Sequence, residues 1–552
     1  MPPFTSSDRS RMEKNDKDMR QLSISSSITA CDADLEAISI VAMPEQALDW
    51  EHDSINPHNW RPARKYTVTI LISCLTFNTL MSSTMVAPAL PQIRKELHIS
   101  SESRTQLVLS IYVLAYAIGY FFWAPMSEVY GRKRVLQLAN LWFCIWNTVC
   151  GFSHNEAMIT VGRLLSGAGA AASLALGSGI ASEIWRPAQR GKSLAILSTI
   201  TLLGPSVGPI LGGVIAAQSP SSWRWTFWST TIYNAGLQIF SIFLLHETHA
   251  QTILRQHFKK RDGSKHLDSG NVASSARNVL LLSLKRPFYL LLTQPASQGL
   301  IIYSGVTFGT LYILISVLVD AFRQVYSQSL LLASLNYISC GIGPTLGAQL
   351  CGPLMDAMYR RREKKFRDAH GPSENKNSCE IEKVPPEFRL YPLIPNMITM
   401  AAGLCLFGWA LHFKLHWSMP NIGMIVFGFG NQATTQCINA YIIDTFSEIK
   451  SSTTSNLAIR PQQQPVTPKV SLNWTASAMA SMWSIKALGG FAFPLFAVDV
   501  IQALGWGWTS TMLGLLNVAI GLPVTIMLLG YGKKLRTIGK HRIEKRIALG
   551  KM

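Results

Sequence analysis

The sequence predicts an all-α membrane protein with twelve transmembrane helices in two pseudo-symmetric six-helix bundles. Three observations predict this fold class. The 552-residue chain is 48% hydrophobic and 15% charged, with a mean hydropathy of +0.20, as is typical of a polytopic membrane protein. It contains apolar runs close to the ~20 residues that cross a bilayer as a helix. A charged turn after the second run recurs 228 residues later, which indicates an internal duplication.

The apolar runs, taken in order, define the domain organisation that we expect. Residues 1–62 are polar and lack hydrophobic periodicity, so they are predicted to form a disordered cytoplasmic tail. A six-helix bundle at 63–246, a basic cytoplasmic connector at 247–288 and a second bundle at 289–531 follow, before a basic cytoplasmic tail at 532–552. The twelve predicted spans lie at roughly 66–90, 105–127, 135–155, 157–182, 193–217, 225–245, 290–319, 328–355, 392–412, 418–443, 475–498 and 505–531.

The basic residues predict how these spans are oriented. With a cytoplasmic N-terminus, 42 lysines and arginines fall in the inside segments and 6 in the outside loops. Because cytoplasmic loops carry the excess of lysine and arginine, this distribution places both termini in the cytoplasm. Topology and contact with anionic lipid then explain the net charge of +19, and we expect no nucleic-acid partner.

No cofactor, metal or nucleotide pattern accompanies the spans. The nine cysteines are scattered, mostly within spans, and form no CxxC pair, so the sequence indicates neither a disulfide nor a zinc site. The phosphate-binding pattern GxxxxGK[ST] does not occur, which argues against ATP hydrolysis in this chain. We therefore expect no cofactor, no metal ion and no enzymatic activity.

The charged turn at 124–134 joins the second and third spans. It brings two antiparallel helices close together, and Gly131 suits such an approach because glycine has no Cβ. Glu128 can pair with Arg132 or cap a nearby helix terminus, and Lys133 adds positive charge. On its own, the segment is either a tight turn that joins two antiparallel membrane helices or a generic positively charged loop.

A second copy of the turn, at 352–360, argues against a generic charged loop. It repeats the order of a small residue, a proline, an apolar residue, an acid and an arginine. Asp356 and Arg360 stand in the places of Glu128 and Arg132. Such a repeat in the same membrane context is expected of an internally duplicated transporter.

The fifth span carries a regular glycine pattern. Three glycines recur every four residues and form a smooth strip on one helix face, where another helix can pack very closely. Two prolines permit a bend. We expect the two halves to rock against each other along this face, the alternative being small-residue packing alone. The helix-packing residues that we assign are Gly204, Pro205, Gly208, Pro209, Gly212 and Gly213.

Two basic residues lie inside predicted spans, Arg163 in the fourth and Lys486 in the eleventh. A charge at this depth is costly unless it faces protein or a water-filled cavity, so both are functional candidates. Lys486 can hold an anionic substrate, pair with a carboxylate or change protonation. The alternative for both is a structural role, with the charged group bonded to backbone oxygens.

Polar and aromatic side chains within the spans are candidates for a substrate cavity, which we expect near mid-membrane between the halves. Gln432, Gln436 and Asn439 occur at i, i+4 and i+7 and so share one helix face. Aromatic walls with a few polar groups suit amphiphilic organic molecules. The alternative is core packing or hydrogen bonding between helices. The candidates are Tyr112, Tyr116, Tyr303, Tyr312, Asn336, Gln432, Gln436 and Asn439.

The segment 124–136 resembles the signature between spans two and three of the major facilitator superfamily, usually G-x-L-x-D-x-x-G-R-K/R. Here Ala124 replaces the first glycine and Glu128 replaces the aspartate. The patterns RxxxGxG at 163–169, PxxP at 88–91 and the glycine strip of the fifth span resemble those of twelve-span drug:proton antiporters, in particular their fungal branch. In that family the acidic and basic residues of the turn latch the cytoplasmic side.

The resemblance implies the major facilitator fold and a monomeric plasma-membrane transporter. It would export hydrophobic or amphiphilic small molecules, such as drugs, toxins or secondary metabolites, by alternating access coupled to protons. No acid lies in the middle of a predicted span, so proton coupling depends on the resemblance alone. The alternatives are import or facilitation of a small nutrient or organic anion, and a transporter-like membrane sensor.

One segment departs from the family pattern. Residues 451–473 form a polar insert rich in Ser, Thr, Gln and Pro, where members of the family join the tenth and eleventh spans by a short loop. We interpret the insert as a lineage-specific insertion or as a retained intron in the gene model.

Overall fold

A computed structural model of the chain describes residues 53, 55–186, 190–219, 221–261, 288–370, 385–457 and 474–548. Most of the predicted N-terminal tail, most of the connector and the later part of the polar insert lie outside these residues. The first seven residues of the predicted insert, 451–457, belong to a helix that continues from the tenth span.

Twelve long helices account for most of the described chain. They are α1 (Pro62–Thr84), α2 (Glu102–Tyr130), α3 (Arg132–Gly151), α4 (Glu156–Ile184), α5 (Arg190–Ala216), α6 (Arg224–Leu244), α7 (Pro295–Tyr326), α8 (Ile338–His370), α9 (Leu393–His412), α10 (Ser418–Leu457), α11 (Trp474–Leu495) and α12 (Ala497–Ala548). Shorter helices cover Leu90–Glu96, Ala250–Arg261 and Leu330–Leu335. Of the described helical stretches, eight are long and apolar enough to cross a membrane, and they comprise all or part of α1, α2, α4, α5, α7, α8, α9 and α12.

The helices form two bundles with the same internal arrangement. In the first bundle α1 packs against α5, α2 against α4, and α3 against α4 and α6. In the second, α7 packs against α11, α8 against α10, and α9 against α10 and α12. Each helix thus has the neighbours of the helix six places later, which is the pseudo-symmetry that the repeated turn predicted. The all-helical, twelve-helix fold class is confirmed.

The two bundles meet along two helix pairs, α2 with α11 and α5 with α8. The same six-place relation exchanges these pairs, so both halves contribute equivalent helices to the interface. Side chains on the outside of the bundles are apolar and exposed, including Ile232, Phe240 and Phe243 of α6. An apolar exterior of this kind is the surface that a bilayer solvates.

Local sequence explains where several helices begin and end. Ser101 and Asn155 cap α2 and α4, because their side-chain oxygens accept hydrogen bonds from Arg104 N (3.2 Å) and Met158 N (2.7 Å). Gly131 adopts φ +95°, a conformation that glycine adopts without strain, and there α2 stops and α3 starts in a new direction. The tight turn between the second and third spans therefore depends on this glycine.

Candidate functional site

The charged turn holds Arg132 at the end of α4. The Arg132 guanidinium forms an ion pair of 3.0 Å with Glu183 and also donates a hydrogen bond to Ser127. Glu183 in turn accepts a hydrogen bond of 2.6 Å from Thr248, which follows α6. Arg132 and Glu183 have 13% and 21% of their side chains exposed, so the pair is only weakly screened by water.

Glu247 caps the same turn. Its carboxylate accepts hydrogen bonds from the backbone N–H groups of Arg132 (2.8 Å) and Lys133 (3.3 Å), the first two residues of α3. A carboxylate at this position satisfies free N–H groups and complements the positive end of the helix dipole. The Lys133 ammonium donates to Ile242 O (3.0 Å), and a Cβ on Gly131 would collide with the Glu247 carboxylate.

The predicted partner of Arg132 is therefore wrong. Among the described residues, the Glu128 side chain forms neither an ion pair nor a hydrogen bond, and it does not cap a helix. An i, i+4 pair requires both residues on one continuous helix. Gly131 ends α2 before Arg132, so Arg132 belongs to α3 and lies against α4 instead.

The second half contains an equivalent cluster built on a different arginine. Arg389, which precedes α9, forms ion pairs with Asp356 of α8 (3.2 Å) and with Asp444 of α10. Burial lowers the pKa of Arg389, but the two carboxylates outweigh it and leave that pKa above its ordinary value. By helix position, Arg389 and Asp444 correspond to Arg132 and Glu183.

Arg360 does not take the role that the repeated turn suggested. It donates a hydrogen bond of 3.3 Å to the backbone oxygen of Asp356, and its own side chain is exposed. The reason is that α8 continues unbroken to His370, whereas α2 ends at Gly131. Arg360 thus stays on α8, one turn beyond Asp356.

The glycine strip of α5 faces α1, within the first bundle. A Cβ on Gly208 would lie 2.6 Å from Met81 O, and a Cβ on Gly204 would lie 2.9 Å from Phe77 O. Gly212 packs in the same way against Met85. Because α1 occupies this face, the expectation that the two halves rock along it is wrong, and the strip joins α1 to α5 instead.

The opposite face of α5 meets the second half. A Cβ on Gly341 of α8 would lie 2.6 Å from Ser206 Oγ, and Gly213 packs against Ser334. Gln349 of α8 donates a hydrogen bond of 2.7 Å to Thr199 of α5. Gly213 is therefore a predicted motif residue that contacts the other half. Pro205 and Pro209 lie inside α5, which continues through both.

Arg163 is fully buried and its guanidinium is bound by protein. It donates hydrogen bonds to three backbone oxygens, those of Val108 (3.1 Å), Ser82 (3.0 Å) and Ser83 (3.3 Å). The guanidinium also lies 4.1 Å from the Tyr112 ring centroid. This arrangement corresponds to the structural alternative, in which Arg163 ties α4 to α1 and α2.

Three of the candidate tyrosines gather next to Arg163. Tyr112 and Tyr116 of α2 both donate to Thr79 O, at 3.4 and 3.2 Å. Tyr312 of α7 lies 3.2 Å from Ser83 Oγ of α1. Because α1 and α7 belong to different bundles, this last hydrogen bond crosses the centre of the protein.

An aromatic cluster lies beside them where α2 meets α11. Tyr120 of α2 stacks on Trp483 of α11, with ring centroids 5.8 Å apart and an angle of 19° between the rings. Phe308 of α7 meets Trp483 edge-on at 6.4 Å. The Lys486 ammonium lies 4.7 Å from the Trp483 centroid and 6.0 Å from that of Phe308. We call Tyr120, Phe308, Trp483 and Lys486 the aromatic–lysine cluster.

The polar stripe of α10 faces α8 in the second bundle. Gln436 donates to Ala348 O (3.2 Å), and Gln432 lies against Gly347. Asn439 and Tyr303 each have a buried oxygen without a hydrogen-bond partner among the described residues. These four candidates are thus separate from the three tyrosines around Arg163.

Asn336 does not belong to a central cavity, contrary to the prediction. It lies between the short helix Leu330–Leu335 and α8, at the end of the bundles opposite the Arg132 turn. Its amide donates to Gln328 (2.8 Å) and accepts from Asn421 (2.7 Å). The predicted span at 328–355 contains the short helix Leu330–Leu335 and the first part of α8. Asn336 lies in the connection between these two helices.

A cavity of about 410 Å³ opens between the halves at that same end. Its walls include Gln106 of α2, Asp320 of α7 and Trp506 of α12. Sequence reasoning did not identify this cavity. It also did not identify Tyr120, Trp483, Glu183 or Arg389 as site residues, although their charge or aromatic character within or beside spans was visible.

Comparisons with known proteins agree with this architecture. The family model described as the Major Facilitator Superfamily matches residues 72–459. The efflux pump vrtL of Penicillium aethiopicum is 32% identical over 89% of this chain and 90% of its own length. The probable efflux pump mfs2 of Aspergillus flavus is 34% identical over 82% and 98%, respectively. The uncharacterized transporter C1529.01 of Schizosaccharomyces pombe is 32% identical over 89% and 93%.

Solved structures share the fold at low sequence identity. The proton:xylose symporter XylE gives a TM-score of 0.58 at 12% identity, covering 86% of this chain and 96% of that one. The human organic anion transporter MFSD10 gives a TM-score of 0.53 at 16% identity, covering 84% and 100%. With two six-helix bundles, the repeated turn and a family match over most of its length, this chain belongs to the major facilitator superfamily of multi-pass membrane transporters.

Proposed function

We propose that this transporter exports hydrophobic or amphiphilic small molecules from the cytosol by alternating access. The observation that carries the proposal is the aromatic–lysine cluster, which lies between the halves and is built from both of them. Tyr120 belongs to the first bundle, whereas Phe308, Trp483 and Lys486 belong to the second. Aromatic surface with a few polar groups is the usual lining of sites for organic molecules.

The direction of transport is supported by the relatives. Two fungal proteins that align with this chain over at least 90% of their own length are named as efflux pumps. Drugs, toxins or secondary metabolites are the substrate class that we infer. We also infer a plasma-membrane location, both termini in the cytosol, a monomer, and a proton gradient as the driving force.

The interface between the halves supports alternating access. It uses two helix pairs that the pseudo-symmetry exchanges, so one pair can separate on one side while the other closes. The cavity beside Gln106 and Asp320 is the proposed exit to the outside. The Arg132 and Arg389 clusters, at the opposite end, are the proposed cytoplasmic latch, while the α1–α5 glycine strip keeps the first bundle rigid.

A vesicle experiment tests the export proposal. The purified full-length chain is reconstituted into liposomes. A pH gradient with an acidic vesicle interior is imposed, and uptake of rhodamine 6G and of naphthalene derivatives is followed. We expect accumulation in vesicles whose transporter is oriented with its cytosolic side outward, and loss of accumulation with an uncoupler. Accumulation that is unchanged by the uncoupler would reject proton coupling. If no compound accumulates, the export proposal is rejected.

A further inference from the structure

Among the described residues, Lys486 is a buried cation without an opposite charge. Only 1% of its surface is exposed, and within the described chain its ammonium forms neither an ion pair nor a hydrogen bond. The rings of Trp483 and Phe308 lie 4.7 and 6.0 Å from its ammonium. Attraction between a cation and aromatic rings offsets only part of what removal of an ammonium from water costs.

Arg163, another buried cation of the described helices, differs from Lys486. Arg163 directs its guanidinium at three backbone oxygens and so has its donors occupied. Lys486 retains all three N–H donors of its ammonium. An isolated ammonium in a low-dielectric interior either loses its proton or acquires a counter-charge, and an anionic ligand can supply that charge.

A second unused donor contacts the same tryptophan. The Tyr120 hydroxyl is buried and has no hydrogen-bond partner among the described residues. Its ring stacks on Trp483, the residue whose ring also faces the Lys486 ammonium. Buried polar groups are nearly always hydrogen-bonded, so an unpaired hydroxyl and an unpaired ammonium that both adjoin Trp483 indicate a place for an acceptor.

We propose that Lys486 and Tyr120 bind the carboxylate of a planar aromatic substrate, with Trp483 and Phe308 contacting its rings. The inference rests on the proposed function and specifies its substrate class as aromatic carboxylates. The ammonium supplies the charge, and the hydroxyl donates the second hydrogen bond. Since Tyr120 and Lys486 belong to different halves, separation of α2 from α11 parts the two donors and releases the anion.

Binding to the full-length protein in detergent tests this site. Titration calorimetry compares naphthoate with naphthamide, which has the same shape and no charge. For the wild type we expect tighter binding of naphthoate. Lys486→Met is expected to weaken naphthoate binding at least about tenfold, because it removes a charge-assisted hydrogen bond. The same change should alter naphthamide binding less than about twofold, and Lys486→Arg should retain most of the affinity for naphthoate.

Two further variants complete the experiment. Tyr120→Phe should weaken naphthoate binding by a smaller factor, about threefold to tenfold, because the stacked ring remains and only the hydroxyl is lost. Lys95→Met, which removes an exposed lysine of the short helix Leu90–Glu96, should leave both affinities unchanged. Size-exclusion elution and thermal unfolding verify that each variant is folded.

Equal affinity of the wild type for naphthoate and naphthamide would overturn the inference, as would an equal loss for both compounds in Lys486→Met. Export of neutral aromatic compounds in the vesicle experiment would in that case leave the proposed function intact. If Lys486→Met does not fold, the inference is judged on Lys486→Arg and Tyr120→Phe. If Tyr120→Phe then prefers naphthoate over naphthamide by the same factor as the wild type, the result counts against the inference.

Discussion

Arg132, the first residue of α3, forms an ion pair of 3.0 Å with Glu183 in the last turn of α4. Arg389 and Asp444 repeat this relationship in the second half. The clusters therefore tie together equivalent helices at the same end of each bundle. The two ion pairs occupy equivalent positions in the fold although the sequences around them differ. Their common feature is therefore the placement of the charged groups, and not the sequence of the turn.

The first prediction separates the observed partner from the expected one. Glu183→Gln should reduce transport several-fold, and lower the free energy of unfolding by about 1–3 kcal/mol, because Arg132 then loses a charge-assisted contact. Arg132→Ala should likewise reduce transport while membrane insertion stays normal. Transport into vesicles and thermal unfolding in detergent are the measurements.

Glu128→Gln is the matched control, because this acid lies in the same turn and has no ion pair with a described residue. It should stay close to wild type in both measurements. A larger defect in Glu128→Gln than in Glu183→Gln would contradict the assignment of the latch.

A second prediction concerns the cap of α3. Glu247→Ala leaves the N–H groups of Arg132 and Lys133 without their carboxylate acceptor. We expect a loss of about 1–2 kcal/mol of stability, the usual cost of removing a side-chain cap. Thermal unfolding measures it, and Glu247→Gln, which keeps an acceptor oxygen, should lose less. Equal losses for alanine and glutamine would show that the cap is not the cause.

The third prediction addresses the glycine strip. Gly208→Ala places a methyl group 2.6 Å from Met81 O and must push α1 away from α5, so expression and stability should fall. Gly236→Ala on α6 is the control, since its new Cβ meets no atom within 4 Å. That change should be neutral or stabilising by up to about 1 kcal/mol. Similar behaviour of the two variants in detergent unfolding would refute close α1–α5 packing.

The fourth prediction concerns the hydrogen bond that crosses the halves. Ser83 donates to Leu80 O (2.7 Å), so Tyr312 is the donor in its 3.2 Å contact with Ser83. A double-mutant cycle of Tyr312→Phe and Ser83→Ala should give a coupling energy of about 0.5–1.5 kcal/mol in unfolding. Strictly additive effects would mean that the contact contributes nothing. Transport should also change in Tyr312→Phe if this bond forms in only one conformation.

A fifth prediction follows from His249, which lies after α6 beside the Arg132 cluster. Burial, and next the positive charge of Arg132, lower the pKa of His249 from its ordinary value of 6.5. As pH falls below 6.5, the unfolded chain binds a proton that the folded protein disfavours, so stability should decrease. The decrease should continue until pH reaches the lowered pKa of the folded state.

Thermal unfolding between about pH 5 and pH 8 measures this dependence, and His249→Gln should reduce its slope. The variant must otherwise keep the hydrogen bond that the His249 backbone N–H donates to Glu247 (3.0 Å). A slope that is the same in wild type and variant would assign the pH dependence to other groups.

Local patterns predicted the helices well. The apolar runs correspond to the twelve long helices, because the length and composition of a span are properties of consecutive residues. The glycines at every fourth position of α5 were recognised as a packing strip for the same reason. Their partner was not predicted correctly, since the spacing shows which residues share a face and does not show which helix covers it.

Contacts between residues that are far apart in the sequence could not be predicted from local patterns. Glu183 lies 51 residues after Arg132, and Asp444 lies 55 residues after Arg389. The i, i+4 spacing of Glu128 and Arg132 suggested a pair, but one positive-φ glycine between them changed the direction of the chain. Tyr120 and Trp483 meet only because α2 packs against α11.

The amino-acid sequence alone determined that this protein has twelve membrane helices in two related halves. The length of the apolar runs, the distribution of lysine and arginine, and the internal repeat are all properties of the order of residues along the chain. Only the tertiary structure decided which acids pair with Arg132 and Arg389. It also decided that Arg163 donates to backbone oxygens, whereas Lys486 has no such partner among the described residues. These distinctions depend on which helices touch. A buried charge is stabilised or left unpaired by atoms from other helices, whatever its own neighbours in sequence are.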